Sequence, residues 1–155
     1  MLRFDTADGK QFRPLTLWRD ADGKLEWRWE SWPSPRPLYG LKELAERPAA
    51  TVVVCEGEKS ADAARKLLPG FVVVSSPNGS KSAKQADWSP LRERDVVIWP
   101  DADASGEEYA HAVTECLAAV GARRWLSFHH LAVSKRGGMP QMRLTKGGCP
   151  TTQPD

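Results

Sequence analysis

Three short β-branched runs constrain this chain most: TVVVC at 51–55, FVVVS at 71–75 and DVVIW at 95–99. None alternates apolar with polar residues. A strand that is apolar on both sides must be covered on both faces, which is the condition of a parallel sheet in an α/β layer structure. The segments between the runs fit that scheme. Ser60 reads as an N-cap before ADAARKLL, with Pro69-Gly70 as the stop. SPNGSKSAKQ, 76–85, reads as a polar loop, and Trp88 to Arg94 as a short, proline-interrupted crossover. Glu107 to Val120 reads as an amphipathic helix closed by Gly121, and RRWLSFHH as a fourth strand. Residues 49–131 are therefore predicted to form an α/β domain with a parallel sheet of about four strands and helices on both faces.

The flanks read differently. In 11–32, QFRPLTLWRDADGKLEWRWESW, two strand-like runs surround Asp20-Ala-Asp-Gly23, a β-hairpin signal. Leu25, Trp27 and Trp29 fall on one face of the second run, and Glu26, Arg28 and Glu30 on the other. Interleaved Trp and Arg could form a stacking platform for single-stranded bases, but the favoured expectation is a Trp face that packs on the main domain. WPSPRPLYG, 32–40, is too rich in proline for helix or central strand and reads as a linker. A short helix follows from Leu41 to Arg47, stopped by Pro48. Residues 1–48 are thus expected as hairpin, proline-rich linker and short helix. Residues 132–155 carry two Gly-Gly pairs and no period, and are expected to be an irregular or disordered tail.

Charge and cysteine narrow the function classes. Net charge is +2, too small to announce a nucleic-acid partner. From Gly121 onward there are six Lys or Arg and one Asp, so the tail is basic at +5 and the first 120 residues are at −3. The three cysteines, Cys55, Cys116 and Cys149, are odd in number and form no CxxC, against a disulfide framework or a standard zinc site. Cys55 reads as a buried small residue. No run of about 18 apolar residues is present, and the N-terminus lacks a secretory h-region. The expected compartment is cytoplasmic, with no membrane partner.

The carboxylates carry the chemistry. Glu56 follows the first predicted strand directly, and Asp101 and Asp103 follow the third. Ligands of open α/β sheets bind beyond the carboxyl ends of the strands. If the first and third strands are neighbours, three carboxylates meet at one sheet edge. An all-oxygen set suits Mg²⁺, which is usually held by one or two carboxylates plus substrate phosphates, and Mn²⁺ fits the same set. Gly57 and Gly106 would let the backbone turn tightly beside a phosphate. Lys59, Lys81 and Lys84 are candidates for phosphate or nucleic-acid contact. The plainer alternative for Asp-Ala-Asp is a turn and helix N-cap.

CEGEKSADAA, 55–64, and WPDADASG, 99–106, resemble the two signature motifs of the Toprim domain. RPLYGLKEL, the EGEK turn, SSPNGS and DWSPLRERDVVIWPDAD are similar to the primase-like, primase-helicase branch found in phages, prophages and plasmids. The resemblance spans roughly residues 50–130 and implies a Rossmann-like Toprim sheet. It implies Glu56 as acid–base residue or metal ligand, and Asp101 and Asp103 as holders of Mg²⁺. The implied activity is nucleotidyl transfer of primase type: RNA primer synthesis from NTPs on single-stranded DNA. A helicase or other replication protein is the implied partner. Two features depart from the family: there is no CxxC zinc module, and no GxxxxGK of an ATPase. They favour a module of a larger primase-like system. A Toprim-type nuclease, and a non-catalytic module binding nucleic acid or a replication partner, remain the alternatives.

Overall fold

The computed structural model describes residues 2–7, 9–130 and 142–148. The chain divides into two compact units, residues 1–35 and 36–155.

The first unit is two antiparallel hairpins. β1 (Leu2–Thr6) pairs with β2 (Gly9–Arg13), and β3 (Thr16–Arg19) with β4 (Leu25–Arg28). The second hairpin is the one the Asp-Gly turn predicts. The Asp20 carboxylate accepts from the N–H groups of Asp22 (3.1 Å) and Lys24 (2.8 Å), and Gly23 takes φ +83°. Arg28 lies over the Trp18 ring at 5.4 Å and pairs with Glu26 (3.0 Å) and Glu30 (3.6 Å), so one face is charged as predicted. Leu25, Trp27 and Trp29, opposite, are exposed. The first hairpin is an addition to the sequence reading.

The second unit runs α1 (Leu41–Glu46), β5 (Val52–Cys55), α2 (Glu58–Leu67), β6 (Val72–Ser75), two 3₁₀ segments (Ser80–Gln85 and Ser89–Leu91), β7 (Asp95–Trp99), α3 (Ala104–Val120), β8 (Arg124–His130) and β9 (Met142–Gly148). The sheet order is β6-β5-β7-β8-β9. The first four strands are mutually parallel and β9 is antiparallel to β8. Both faces are covered, as the unbroken valine runs require. On one face Val52, Val54, Val72, Val74 and Ile98 pack with Leu44 of α1 and Tyr109, Val113 and Leu117 of α3. On the other, Val53, Cys55 and Val73 pack with Ala61 and Ala64 of α2. Gly121 ends α3 in the left-handed region, φ +74°.

Two expectations need correction. The proline-rich stretch is not a free linker, and the boundary falls after Pro35 rather than at 48. Extended backbone leaves its polar groups free to pair. Arg36 N–H donates to Gln85 O (2.7 Å), Asp87 N–H to Arg36 O (2.7 Å), and Tyr39 N–H to Ser75 O (2.9 Å). Leu38 and Leu44 are buried in the same core. Gly40 permits this docking: it has φ +91°, and a Cβ there would lie 2.6 Å from Val73 O and from Nη2 of Arg65. Second, residues 132–155 are not irregular throughout, because Met142–Gly148 forms edge strand β9. An edge strand can be held by its backbone ladder without an apolar pattern to announce it. The rest of the predicted tail, except Met142–Gly148, lies outside the described residues. Among the described residues no helix is long and apolar enough to cross a membrane.

Candidate functional site

The strand order sets the site. From β5 the chain moves to β6 on one side, then returns to β7 on the other side of β5 and continues outward to β8. The reversal opens a crevice between the carboxyl ends of β5 and β7, the position at which such sheets bind ligands. Cys55 is in register with Trp99. Glu56 therefore leaves one wall of the crevice, and Asp101 and Asp103 leave the other. The condition posed by the sequence, that the first and third core strands be neighbours, is met.

The three carboxylates are in different environments. Glu56 is half-buried, with Oε2 enclosed. Asp101 and Asp103 are exposed. Asp103 is the N-cap of α3: its Oδ1 accepts the Gly106 N–H at 2.8 Å, leaving the second oxygen outside that bond. Among the described residues, no group of three or more His, Cys, Asp or Glu side chains is gathered closely enough to hold a metal ion. The edge thus brings the predicted carboxylates to one crevice without closing them into a cage.

Gly106 fixes the Asp101 loop against α3. A Cβ at Gly106 would overlap Asp101 O and lie 2.9 Å from Asp101 C and N. Gly57 is different: it is the extended N-cap of α2, and among the described residues nothing lies within 4 Å of where its Cβ would be. Packing among those residues does not demand glycine there. Both helices begin earlier than predicted, α2 at Glu58 rather than beyond Ser60, and α3 at Ala104 rather than Glu107.

The lysines are dispersed. Lys59 is exposed in the first turn of α2. Lys84 is held by Glu115 of α3 at 2.9 Å, which raises the ammonium pKa and lowers that of the carboxyl. Lys81 lies in the 3₁₀ segment Ser80–Gln85, and its side chain is outside the described residues. Beside Lys84, a concavity of about 280 Å³ is lined by Gln85, Ser105, Glu108 and Tyr109.

Beneath the edge sits Tyr109 of α3, buried in the core. The Tyr109 hydroxyl donates to Cys55 O (3.0 Å) and lies 3.1 Å from Ser76 Oγ. It ties α3 to the ends of β5 and β6, one residue before Glu56. Burial pushes its pKa up to about 12, and the neighbouring Cys55 and Glu56 add to the rise. Burial likewise pushes the Cys55 thiol up to about 11, with the Asp101 charge reinforcing it and Arg65 opposing it. Cys55 is therefore a protonated, buried core residue at neutral pH, as its place at the end of an apolar run predicted. Ser76 was not foreseen. The signal for it was Asn78-Gly79, both at positive φ (66° and 72°), which folds the loop back at the end of β6.

These features define a parallel α/β domain with carboxylates at its topological switch point, preceded by a unit of two hairpins. The chain belongs to the family described as a domain of unknown function, DUF6371, whose pattern matches residues 1–102. The match takes in both hairpins, Glu56 and Asp101 and ends just before Asp103. No curated protein and no solved structure matches the chain.

Proposed function

We propose that this chain is a Toprim-like module for Mg²⁺-dependent nucleotidyl transfer of primase type, building RNA primers from NTPs on single-stranded DNA. The observation that carries the reading is the strand-order reversal between β5 and β7, with Glu56 on one side and Asp101 and Asp103 on the other. The donor set is all carboxylate and two of its members are exposed, which fits an ion that keeps several waters and shares its shell with phosphates. Asp101 and Asp103 would hold Mg²⁺ or Mn²⁺, with Glu56 as further ligand or acid–base group. When bound, the metal would supply positive charge where phosphoryl charge develops. The chain's own residues supply the frame. Gly106 lets the Asp101 loop lie on α3, and Tyr109 anchors the carbonyl that precedes Glu56. Among the predicted lysines whose side chains are described, Lys59 is the one left for phosphate, since Lys84 is paired with Glu115. A larger replication system, with a helicase as partner, is the setting this reading implies.

The test is a thermal-melt titration with Mg²⁺ and Mn²⁺ on the wild type and on Asp101→Asn/Asp103→Asn, with and without NTPs and single-stranded DNA. A ligand that binds only the folded state raises its midpoint by mass action. The wild type should rise and the double variant should not. New oligonucleotides made only with NTPs would then establish priming, and DNA shortened without NTPs would establish the phosphodiesterase alternative. A wild type indifferent to millimolar metal under every condition overturns the metal reading. The non-catalytic binding module would then stand.

A further inference from the structure

The first unit carries surface chemistry that the carboxylate edge does not use. In the β1–β2 ladder Phe4 is opposite Gln11, and Leu2 is opposite Arg13. Alternation puts Phe4, Thr6, Gln11 and Arg13 on one face of that hairpin. With Trp29 they line a concavity of about 420 Å³, within the ~300–1,000 Å³ range of small-ligand sites. The Phe4 and Trp29 rings are 5.9 Å apart and tilted by 55°. They are 41% and 59% exposed, so neither is a core residue. Arg13 is exposed and has no ion-pair partner among the described residues. In the second hairpin, by contrast, Arg28 is balanced by Glu26 and Glu30.

An exposed ring pair next to an unbalanced guanidinium matches a planar ring attached to an anion. A nucleobase offers a π-face whatever its identity, and its phosphate lies one linkage away. Gln11 supplies amide donor and acceptor at the rim. Thr6 Oγ1 donates its proton to Gly9 O (2.8 Å), which leaves its oxygen to accept. A purely apolar occupant would use the rings but none of these three polar groups. We propose that this concavity stacks a base of a single-stranded nucleic acid, with Arg13 on the adjoining phosphate. The inference deepens the primase-type reading by giving the strand a site, yet it stands on residues of the first unit alone.

The test measures binding of labelled oligo(dT) to the full chain at low salt, against an abasic strand of equal length. Oligo(dT) should bind at least about tenfold more tightly than the abasic strand. Trp29→Leu and Phe4→Leu should each weaken oligo(dT) binding by about five- to a hundredfold, with far-UV circular dichroism unchanged. Arg13→Gln should lower the slope of log K against log salt by about 0.7, the change expected when one fewer phosphate of a single strand is neutralised. Trp27→Leu, outside the concavity, should stay within about twofold of the wild type. Binding is measured without divalent metal, so failure of the metal reading shows only in the separate metal titration. Equal binding of the abasic strand, no binding at low salt, or a Trp29→Leu effect no larger than that of Trp27→Leu would each overturn the proposal.

Discussion

Gly106→Ala sets two physical effects against each other. Gly106 lies in the first turn of α3, where alanine is intrinsically the better helix former by about 1 kcal/mol. Packing opposes it. The added Cβ would overlap the Asp101 carbonyl oxygen and crowd two further backbone atoms of Asp101 at 2.9 Å. Those atoms are not the end of a flexible side chain, so relief requires the Asp101 loop to move. Overpacking of this kind costs about 1–3 kcal/mol, and with three backbone atoms crowded at once the upper end applies. The net loss should be about 2 kcal/mol, lowering the midpoint of thermal unfolding by roughly 4–10 °C. The N–H that Asp103 caps survives the substitution, so the loss is not that of the cap. Urea unfolding followed by tryptophan fluorescence reads it as a lower midpoint at unchanged slope. A variant as stable as the wild type, or more stable, would refute the described fit of the Asp101 loop on α3. The position of Asp101 in the crevice would fall with it.

Tyr109→Phe removes a buried hydroxyl and leaves Cys55 O without its donor, so it should cost about 1–3 kcal/mol in denaturant unfolding; a neutral result would contradict the bridge between α3 and the ends of β5 and β6. The chain should also lose stability in alkali. Tyr109 is raised from 10.0 to about 12 and Cys55 from 9.0 to about 11, each chiefly by burial. Both are neutral when protonated, so above pH 9 the unfolded state binds fewer protons than the folded one and stability falls as pH rises. The contribution is complete below pH 9 and gone once pH has passed 12, about 2–3 kcal/mol per group at most. Urea midpoints measured at pH 8, 10 and 11 should descend, and a flat series would count against the burial of both groups.

What was legible in the sequence was what burial writes into composition. The valine runs of β5, β6 and β7 are apolar on both faces because helices cover both, and no tertiary knowledge is needed to read that. Their order was only conditional, because nothing within 76–94 says on which side of β5 the chain will return. Proline masked the docking of 36–40: the residues look like a spacer, yet Arg36 and Tyr39 pair with Gln85 and Ser75 far along the chain. β9 was hidden because Met142–Gly148 is held through backbone pairing to β8, and its glycines read as loop. The start of α2 was misplaced because Ser60 is the better capping side chain, whereas β5 ends at Cys55 and the helix begins at once beyond Gly57. For the site, position was legible and environment was not. Spacing placed Glu56, Asp101 and Asp103 at strand ends, but not that Glu56 is half enclosed, or that Lys84 is paired with Glu115.

Asp103 separates architecture from chemistry at this edge. One of its oxygens caps α3, but an ionised carboxylate has about four lone-pair sites, so capping and metal binding are compatible. Indeed a cap holds the carboxylate in place. Asp103→Asn keeps an acceptor for the Gly106 N–H and removes the charge, and asparagine caps about as well as aspartate. Asp103→Ala removes both, at about 1 kcal/mol. Without metal the Asn variant should therefore match the wild type, or slightly exceed it, since one charge near Asp101 and Glu56 is gone. With Mg²⁺ the two should part: the wild type gains a higher melting midpoint and the Asn variant gains less. A destabilised Asn variant would mean that the charge itself, acting on the helix end, carries the cap. An Asn variant that responds to Mg²⁺ as the wild type does would assign Asp103 to the helix alone, and leave any metal to Asp101 and Glu56.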